Sequence, residues 1–487
     1  MKHYDGTEDF DPVRPAGTAG PARRARGPAL GLLARALGAL VVRGRLVLID
    51  ADGRPWRFGP GGRPEVTVRL HRRDLPWKLL AAPSLALGEA YMDGTLTIEQ
   101  GTLRTFLDIV SSGGPAALDA VPGNRLIRGW DRLRRHRLYR NAPRRARTNV
   151  AHHYDLSGAL YDIFLDADRQ YSCAYFARGD ETLDEAQAAK KRHIAAKLLL
   201  RPGLDVLDIG SGWGGLALAL AEAGARVTGI TLSEEQLARS RARAEAAGLA
   251  GQVAFHLRDY RHERGRYDRI VSVGMFEHVG PSHHEAYFRT LARSLRPEGV
   301  ALVHSIGLMG PEGGSDPWIR KYIFPGGYCP TLSETIAAAE RAGLWVTDIE
   351  VLRLHYAETL RHWSDRFAQG RERARALYDE RFCRMWEFYL AACEAGFRNG
   401  RTMVFQLQLA HRRDAVPLTR SYLAAADRGP GTGGRATGPR IAVPRQAGRA
   451  MADTAAAAPG DGSPEGDRPA QGVAGPARGA ARDGGAA

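Results

Sequence analysis

A doubly wound α/β fold with inserted helices is predicted for residues 151–415, behind a small α+β domain over residues 29–120. Three observations predict it. Apolar runs of strand length alternate with helix-period segments, the pattern of a parallel sheet. The first run, "LDVLDIG" (204–210), enters a glycine-rich turn that opens a helix. Later runs end in polar residues, at the edge where an open α/β sheet binds its ligands.

In chain order, "LDVLDIG" and "GGLALALAEAG" form the first strand and helix, and "RVTGITLS" and "EEQLARSRARAEAAG" the second pair. "VAFHLRDY", "DRIVSVGMF" and "VALVHSIGL" are the next three strands. After an insertion carrying "DPWIRKYIFPGGY", "LSETIAAAERAG" and "LWVTDIE" supply another helix and strand. "YAETLRHWSDRF" and "RFCRMWEFYLAACEAGF" are long helices, and "TMVFQLQLA" is expected to close the sheet. Upstream, "RLVLIDADGRPWRFG" reads as a hairpin around Asp52-Gly53, and "TLRTFLDIV" as a short amphipathic helix. Residues 1–28 form a disordered lead. Residues 416–487 form a tail, low in complexity from 428 and too poor in apolar surface to order.

The chain has 487 residues, an apolar fraction of 44% and a formal net charge of +15. Ten arginines crowd the linker 121–150, between Arg125 and Arg147, opposed only by Asp131. Such a block suits phosphates, either of lipid headgroups or of nucleic acid, and is also compatible with a plain solvated helix. No interleaved aromatic platform or recognised module supports nucleic acid, so none is expected as a partner. Cys173, Cys329, Cys383 and Cys393 make no CxxC pair, which fits neither a zinc site nor a disulfide framework and suits a reducing cytosol. The longest apolar stretch, "ALGLLARALGALVV" (29–42), is interrupted by Arg35 and is too short to span a bilayer. The expectation is a cytoplasmic protein that touches membranes peripherally.

The turn "DIGSGWGG" carries Gly210, Gly212 and Gly215 in G-x-G-x-x-G spacing, alone a weak sign of nucleotide binding. A dinucleotide fold also wants an acid about twenty residues on for the ribose. Here the second strand ends instead in Thr231, Leu232 and Ser233, with Gln236 on the helix. Asp208 stands just before the loop, where a pyrophosphate would be repelled and a cationic ligand favoured. S-adenosylmethionine carries both an ammonium and a sulfonium. Asp259, ending the third strand, is placed to take the adenine amino group. The set points to a Rossmann-like class I methyltransferase rather than a dehydrogenase.

The strand ends and inserted segments also supply Glu277, His304, Tyr356 and, far upstream, Cys173 in "RQYSCAYF". Taken singly, His304, Tyr356 and Cys173 read as core residues. A carboxylate is harder to explain that way, because burial without a partner is costly.

The segments "HHYDLSGALYDIFLD", "QYSCAYF", "LDIGSGWGGLA", "GITLSEEQ", "RIVSVGMFEHVG", "HSIG", "DPWIRKYIFPGGY", "LRLHYAETLRHW" and "RMWEFYLAACEAGFR" run in order over about 150–415. In that order they resemble the cyclopropane-fatty-acyl-phospholipid synthases and mycolic acid cyclopropane synthases. "LGEAYMDG" looks like part of the amino-terminal domain of the phospholipid-acting members. The resemblance implies methylene transfer from S-adenosylmethionine to the cis double bond of unsaturated acyl chains of membrane phospholipids. It implies a bound bicarbonate as base, held by Glu277, His304, Tyr356 and the Cys173 region. It places the cofactor against Tyr171, Ser172, Asp208, Gly210, Gly212, Trp213, Gly214, Thr231, Ser233, Gln236, Arg258 and Asp259. Cys393 matches a cysteine once taken as the family's nucleophile, although transfer to an alkene needs no thioether; helix packing is its alternative role. An anionic membrane surface is an implied partner and a homodimer a candidate assembly. Two rival outcomes stay open at this point: a methyl- or methylene-branched lipid, and a methylated small molecule.

Overall fold

The computed structural model describes residues 28–121, 123–124, 126–127, 129–130, 139 and 158–427. The lead, most of the basic linker, the "HHYDL" segment and the tail from 428 lie outside the described residues.

Seven strands form the large sheet: β5 (Asp205–Ile209), β6 (Arg226–Thr231), β7 (Val253–Leu257), β8 (Tyr267–Val273), β9 (Leu295–Leu308), β10 (Trp345–Val351) and β11 (Thr402–Ala410). Their spatial order is β10-β11-β9-β8-β5-β6-β7. β5 to β9 are mutually parallel, as the buried apolar runs require, and β11 runs antiparallel between β9 and β10. "TMVFQLQLA" therefore does not close the sheet; it inserts one strand in from the edge. Its residues from Val404 to Ala410 are all buried, which an edge position would not allow. From β5 the chain builds outward to β6 and β7 on one side and to β8 and β9 on the other. The crevice between β5 and β8 is thus the topological switch point, where ligands of such sheets bind.

Strand β8 ends at Val273, three residues short of the expected "DRIVSVGMF". The chain then turns through a 3₁₀ segment, Phe276–His278, that carries Glu277. Phe276 is fully buried against Tyr287 and Phe288, and this anchor fixes the neighbouring carboxylate over the sheet edge.

Upstream, β1 (Arg45–Ile49), β2 (Pro55–Phe58), β3 (Glu65–Leu70) and β4 (Leu96–Gln100) form a second sheet in the order β2-β1-β3-β4. The expected hairpin joins β1 to β2. Asp50 holds its turn by accepting from the amides of Asp52 and Arg54 and from Trp56 Nε1. Thr102 caps the predicted helix, Leu103–Val110. The apolar core of this region, from Leu46 and Val66 to Phe106 and Ile109, is continuous with that around Trp386 and Phe388 on the helix Glu380–Asn399. Gly88 lies so close to Trp318 that a Cβ would meet its Nε1 at 2.3 Å.

Candidate active site

Two cavities adjoin at the switch point and share Tyr171, Ser172, Gly274 and His278 in their walls. The larger is built on the glycine loop. Gly212 (φ +53°) borders it with open space where a side chain would be. Gly214 (φ +83°) faces the other way, and a Cβ there would strike Phe255 at 2.8 Å. Gly214 shapes the turn without lining the cavity. Ser233 is also absent from the lining; its hydroxyl caps the helix Glu234–Ala246 by accepting from the Gln236 amide. The other cofactor residues expected from the sequence, Tyr171, Ser172, Asp208, Gly210, Gly212, Trp213, Thr231, Gln236, Arg258 and Asp259, all line this cavity.

Their polar groups divide into satisfied and waiting ones. Thr231 donates to Gln236 Oε1 at 2.9 Å, a neutral pair suited to ribose hydroxyls. Asp259 is gripped by Arg261, which donates from its backbone amide (3.0 Å), Nε (2.8 Å) and Nη2 (2.6 Å). Burial opposes the Asp259 charge, but Arg261 holds the group below the usual carboxylate range. Asp208 is different. It is 2% exposed and its Oδ2 has no hydrogen-bond partner. Burial pushes its pKa up to about 7, against the pull of Lys190. A buried carboxylate oxygen without a partner is what an ammonium ligand would satisfy.

Lys190 itself was not anticipated. It is fully buried in the cavity wall and donates to Gln170 Oε1 and Ser172 Oγ, both at 2.8 Å. Burial lowers its pKa to about 8, with Asp166 opposing. A signal existed. The helix Leu183–Lys197 buries Gln187, Lys190, His193 and Lys197 beside Leu183, Ala186 and Ile194, so polar residues recur on its inner face. Arg261 is a further addition: that strand end offers Arg258 and Asp259 by pattern, and only the fold shows Arg261 clamped on Asp259.

The second cavity gathers Cys173, Glu277, His304 and Tyr356, brought from four separated segments. Glu277 Oε1 accepts from the Ile306 amide at 2.6 Å, while Oε2 has no partner. Burial pushes its pKa up to about 7, partly offset by that amide. Burial likewise drives His304 down to about 3, helped by Lys190 and Lys197, and His278 down to about 4. Both imidazoles are neutral at physiological pH. The Cys173 thiol is fully buried and pushed well above its ordinary range, so it is no thiolate nucleophile. Tyr356 opens the helix His355–Gln369 and packs against Trp363 and Phe397. Ile306, Ile319, Phe324 and Tyr328 complete a largely apolar wall. The structure does not bring Cys393 to this group. It lies outside both linings, on the helix Glu380–Asn399, and burial raises its thiol too.

A cavity suited to a cationic ligand therefore adjoins an apolar one lined by a half-satisfied carboxylate. The family described as mycolic acid cyclopropane synthetase matches residues 141–407, and a domain of unknown function matches residues 50–112. A probable fatty acid methyltransferase of Pseudomonas putida is 38% identical over 73% of this chain and 89% of its own length. The cyclopropane-fatty-acyl-phospholipid synthase of Escherichia coli (strain K12) is 38% identical over 71% and 88%. Among solved structures, the cyclopropane synthase MmaA2 from Mycobacterium tuberculosis superposes with a TM-score of 0.52 at 33% identity, covering 54% of this chain and 98% of that one. The mycolic acid cyclopropane synthase CmaA1, complexed with SAH and CTAB, gives 0.51 at 34% identity over 54% and 97%.

Proposed function

The chain belongs to the mycolic acid cyclopropane synthetase family and is an S-adenosylmethionine-dependent methyltransferase; on that premise we propose that it forms cyclopropane rings on unsaturated acyl chains of membrane phospholipids. One observation carries the reading: Glu277 stands half-satisfied in an apolar cavity that adjoins the cofactor cavity. An amine or hydroxyl methyltransferase takes a proton from a polar nucleophile. An alkene has none to give, and the work falls on alignment, dryness and a late base.

S-adenosylmethionine would supply an electrophilic methyl when bound; Asp208 would hold its ammonium, and Thr231 and Gln236 its ribose. The apolar wall around Ile319 and Phe324 excludes water from the double bond. Methyl addition leaves a cationic carbon on the acyl chain. Ring closure then needs a base that removes a proton from the new methyl without adding to the cation. We assign that base to a bicarbonate held among Glu277, His304, Tyr356 and Cys173, in a relay of Glu277, bicarbonate and His304. The residues fit such an anion: Glu277, its pKa raised to about 7, carries a proton to share, and His304 is neutral. Two adjacent full negative charges would repel.

The test is expression in a host without ring-forming activity, followed by mass spectrometry of fatty acid methyl esters. A gain of one CH₂ on an unsaturated chain, opened by reagents that cleave cyclopropanes, is the expected result. Unchanged fatty acids would overturn it. A second reading, a methyl-branched product, is favoured by the likeness to the Pseudomonas putida fatty acid methyltransferase. A branched alkene would show the same mass gain and a saturated methyl branch two further hydrogens, neither with ring-opening chemistry.

We also propose peripheral docking on anionic membranes from the cytoplasmic side. The net charge of +15 supports it, at ~1 kcal/mol per basic residue near the surface. No helix among the described residues is long and apolar enough to cross a membrane, while Leu32, Val42 and Trp77 are exposed. Binding to anionic vesicles should weaken steeply with salt; indifference to salt and headgroup charge would refute docking.

A further inference from the structure

His304 on β9 and Gln406 on β11 are direct cross-strand partners, so their side chains leave the sheet on the same face. Both are buried, and Gln406 Nε2 lies 3.1 Å from His304 Nδ1. Gln408, next on that face, is engaged elsewhere, donating to the Lys197 carbonyl at 2.6 Å. Gln406 Oε1 has no partner. With the amide turned over, Oε1 would accept from Nδ1–H, but both amide N–H donors would then be left in the space where one carbonyl oxygen now lacks a partner, the costlier arrangement. A neutral imidazole carries one N–H and one bare nitrogen, and the partner of one nitrogen decides the state of the other.

We propose that Gln406 is a positioning residue: by donating to Nδ1 it fixes His304 as the Nε2–H tautomer, so the ring meets the reaction cavity as a hydrogen-bond donor and not as a base. The inference rests on the reading of His304 as part of the reaction site and sharpens it. A neutral donor suits an oxygen anion or a carbonyl oxygen. It cannot accept the methyl proton, which leaves that step to Glu277 and its anion. The charged groups acting on the ring, Lys190, Lys197 and Glu350 together with His193, do not alter this, because Lys190 and Lys197 both disfavour an imidazolium.

The tautomer can be read directly from ring ¹⁵N shifts in the full-length protein labelled on histidine, with His304 assigned by its loss in His304→Gln. Wild type should show a protonated Nε2 and a bare Nδ1. Gln406→Glu offers an acceptor in place of the donor and should invert that pattern. Gln406→Met offers neither, and should lower kcat about 10- to 100-fold while KM for S-adenosylmethionine stays within about twofold. A protonated Nδ1 in wild type would overturn the assignment, as would a Gln406→Met enzyme that keeps wild-type kcat. Should Gln406→Glu fail to fold, the wild-type spectrum decides alone. If the tautomer inverts as expected but wild type alkylates no unsaturated phospholipid, the functional reading fails and the role of Gln406 stands.

Discussion

The two cavities share a wall and treat charge in opposite ways. On the cofactor side, carboxylates enter the interior with cations attached. Asp259 is held by Arg261, and Asp168, close behind the loop, by Lys191 and Arg243; burial opposes both charges and the partners prevail. On the reaction side no cation among the described residues accompanies Glu277, and burial moves Glu277, His278 and His304 toward their neutral forms. The difference teaches what each half must do. Holding a cationic ligand calls for fixed negative charge. Handling a cationic carbon calls for a dry surround with few nucleophiles and one base that can wait. Asp208 stands between the two regimes: it belongs to the cofactor side by position, yet it is buried with an oxygen free.

The contrast breaks most severely at Glu277. Glu277→Gln keeps shape but can no longer exchange a proton with the bicarbonate base, so turnover on unsaturated phospholipid vesicles should fall by about 10²–10⁴-fold. Cofactor affinity by titration calorimetry should be nearly unchanged. Full turnover would remove Glu277 from the mechanism.

A smaller, opposite split is expected at Asp208. Loss of a charge-assisted bond worth about 1.5–3 kcal/mol should weaken S-adenosylmethionine binding roughly 10- to 100-fold in Asp208→Asn, with kcat at saturation little affected. The pH dependence sharpens this. The Asp208 carboxyl is raised to about 7 in the free protein, and a bound ammonium stabilises its ionised form. Binding below that value must therefore release a proton, and affinity should rise with pH between about 5 and 7. The same linkage runs against the unliganded fold: a raised carboxyl contributes stability at low pH that is lost as pH climbs through its folded pKa. Affinity that is flat with pH in wild type, or still sloped in Asp208→Asn, would contradict the assignment.

The smallest effect belongs to Cys393. Outside both cavities, Cys393→Ala should lower stability by about 1 kcal/mol and leave kcat within about twofold of wild type. A collapse of kcat in a normally folded variant would place the thiol in the chemistry after all.

Legibility in the sequence followed the same divide. The cofactor side is built from short contiguous stretches at strand ends, so Asp208, Gly210, Gly212, Thr231 and Gln236 could be read from spacing. Two residues of that reading, Gly214 and Ser233, do local work instead, because a glycine turn and a helix cap use the residue types that cofactor loops use. Lys190 escaped because it comes from a helix far from the loop. Gln406 escaped because its meaning depends on a strand register that only the folded sheet defines.

What the sequence determined by itself is the alternation of strands and helices, the glycine turn after the first strand, and the resemblance that names four site residues from distant segments. These are local or inherited patterns, readable without distances. The tertiary structure alone decided the charge states. Whether Glu277 is an ordinary surface acid or a carboxyl raised to about 7 depends on how much water the packed apolar wall removes and on whether a cation comes with it. Desolvation is a property of the assembled interior, and no stretch of sequence carries it.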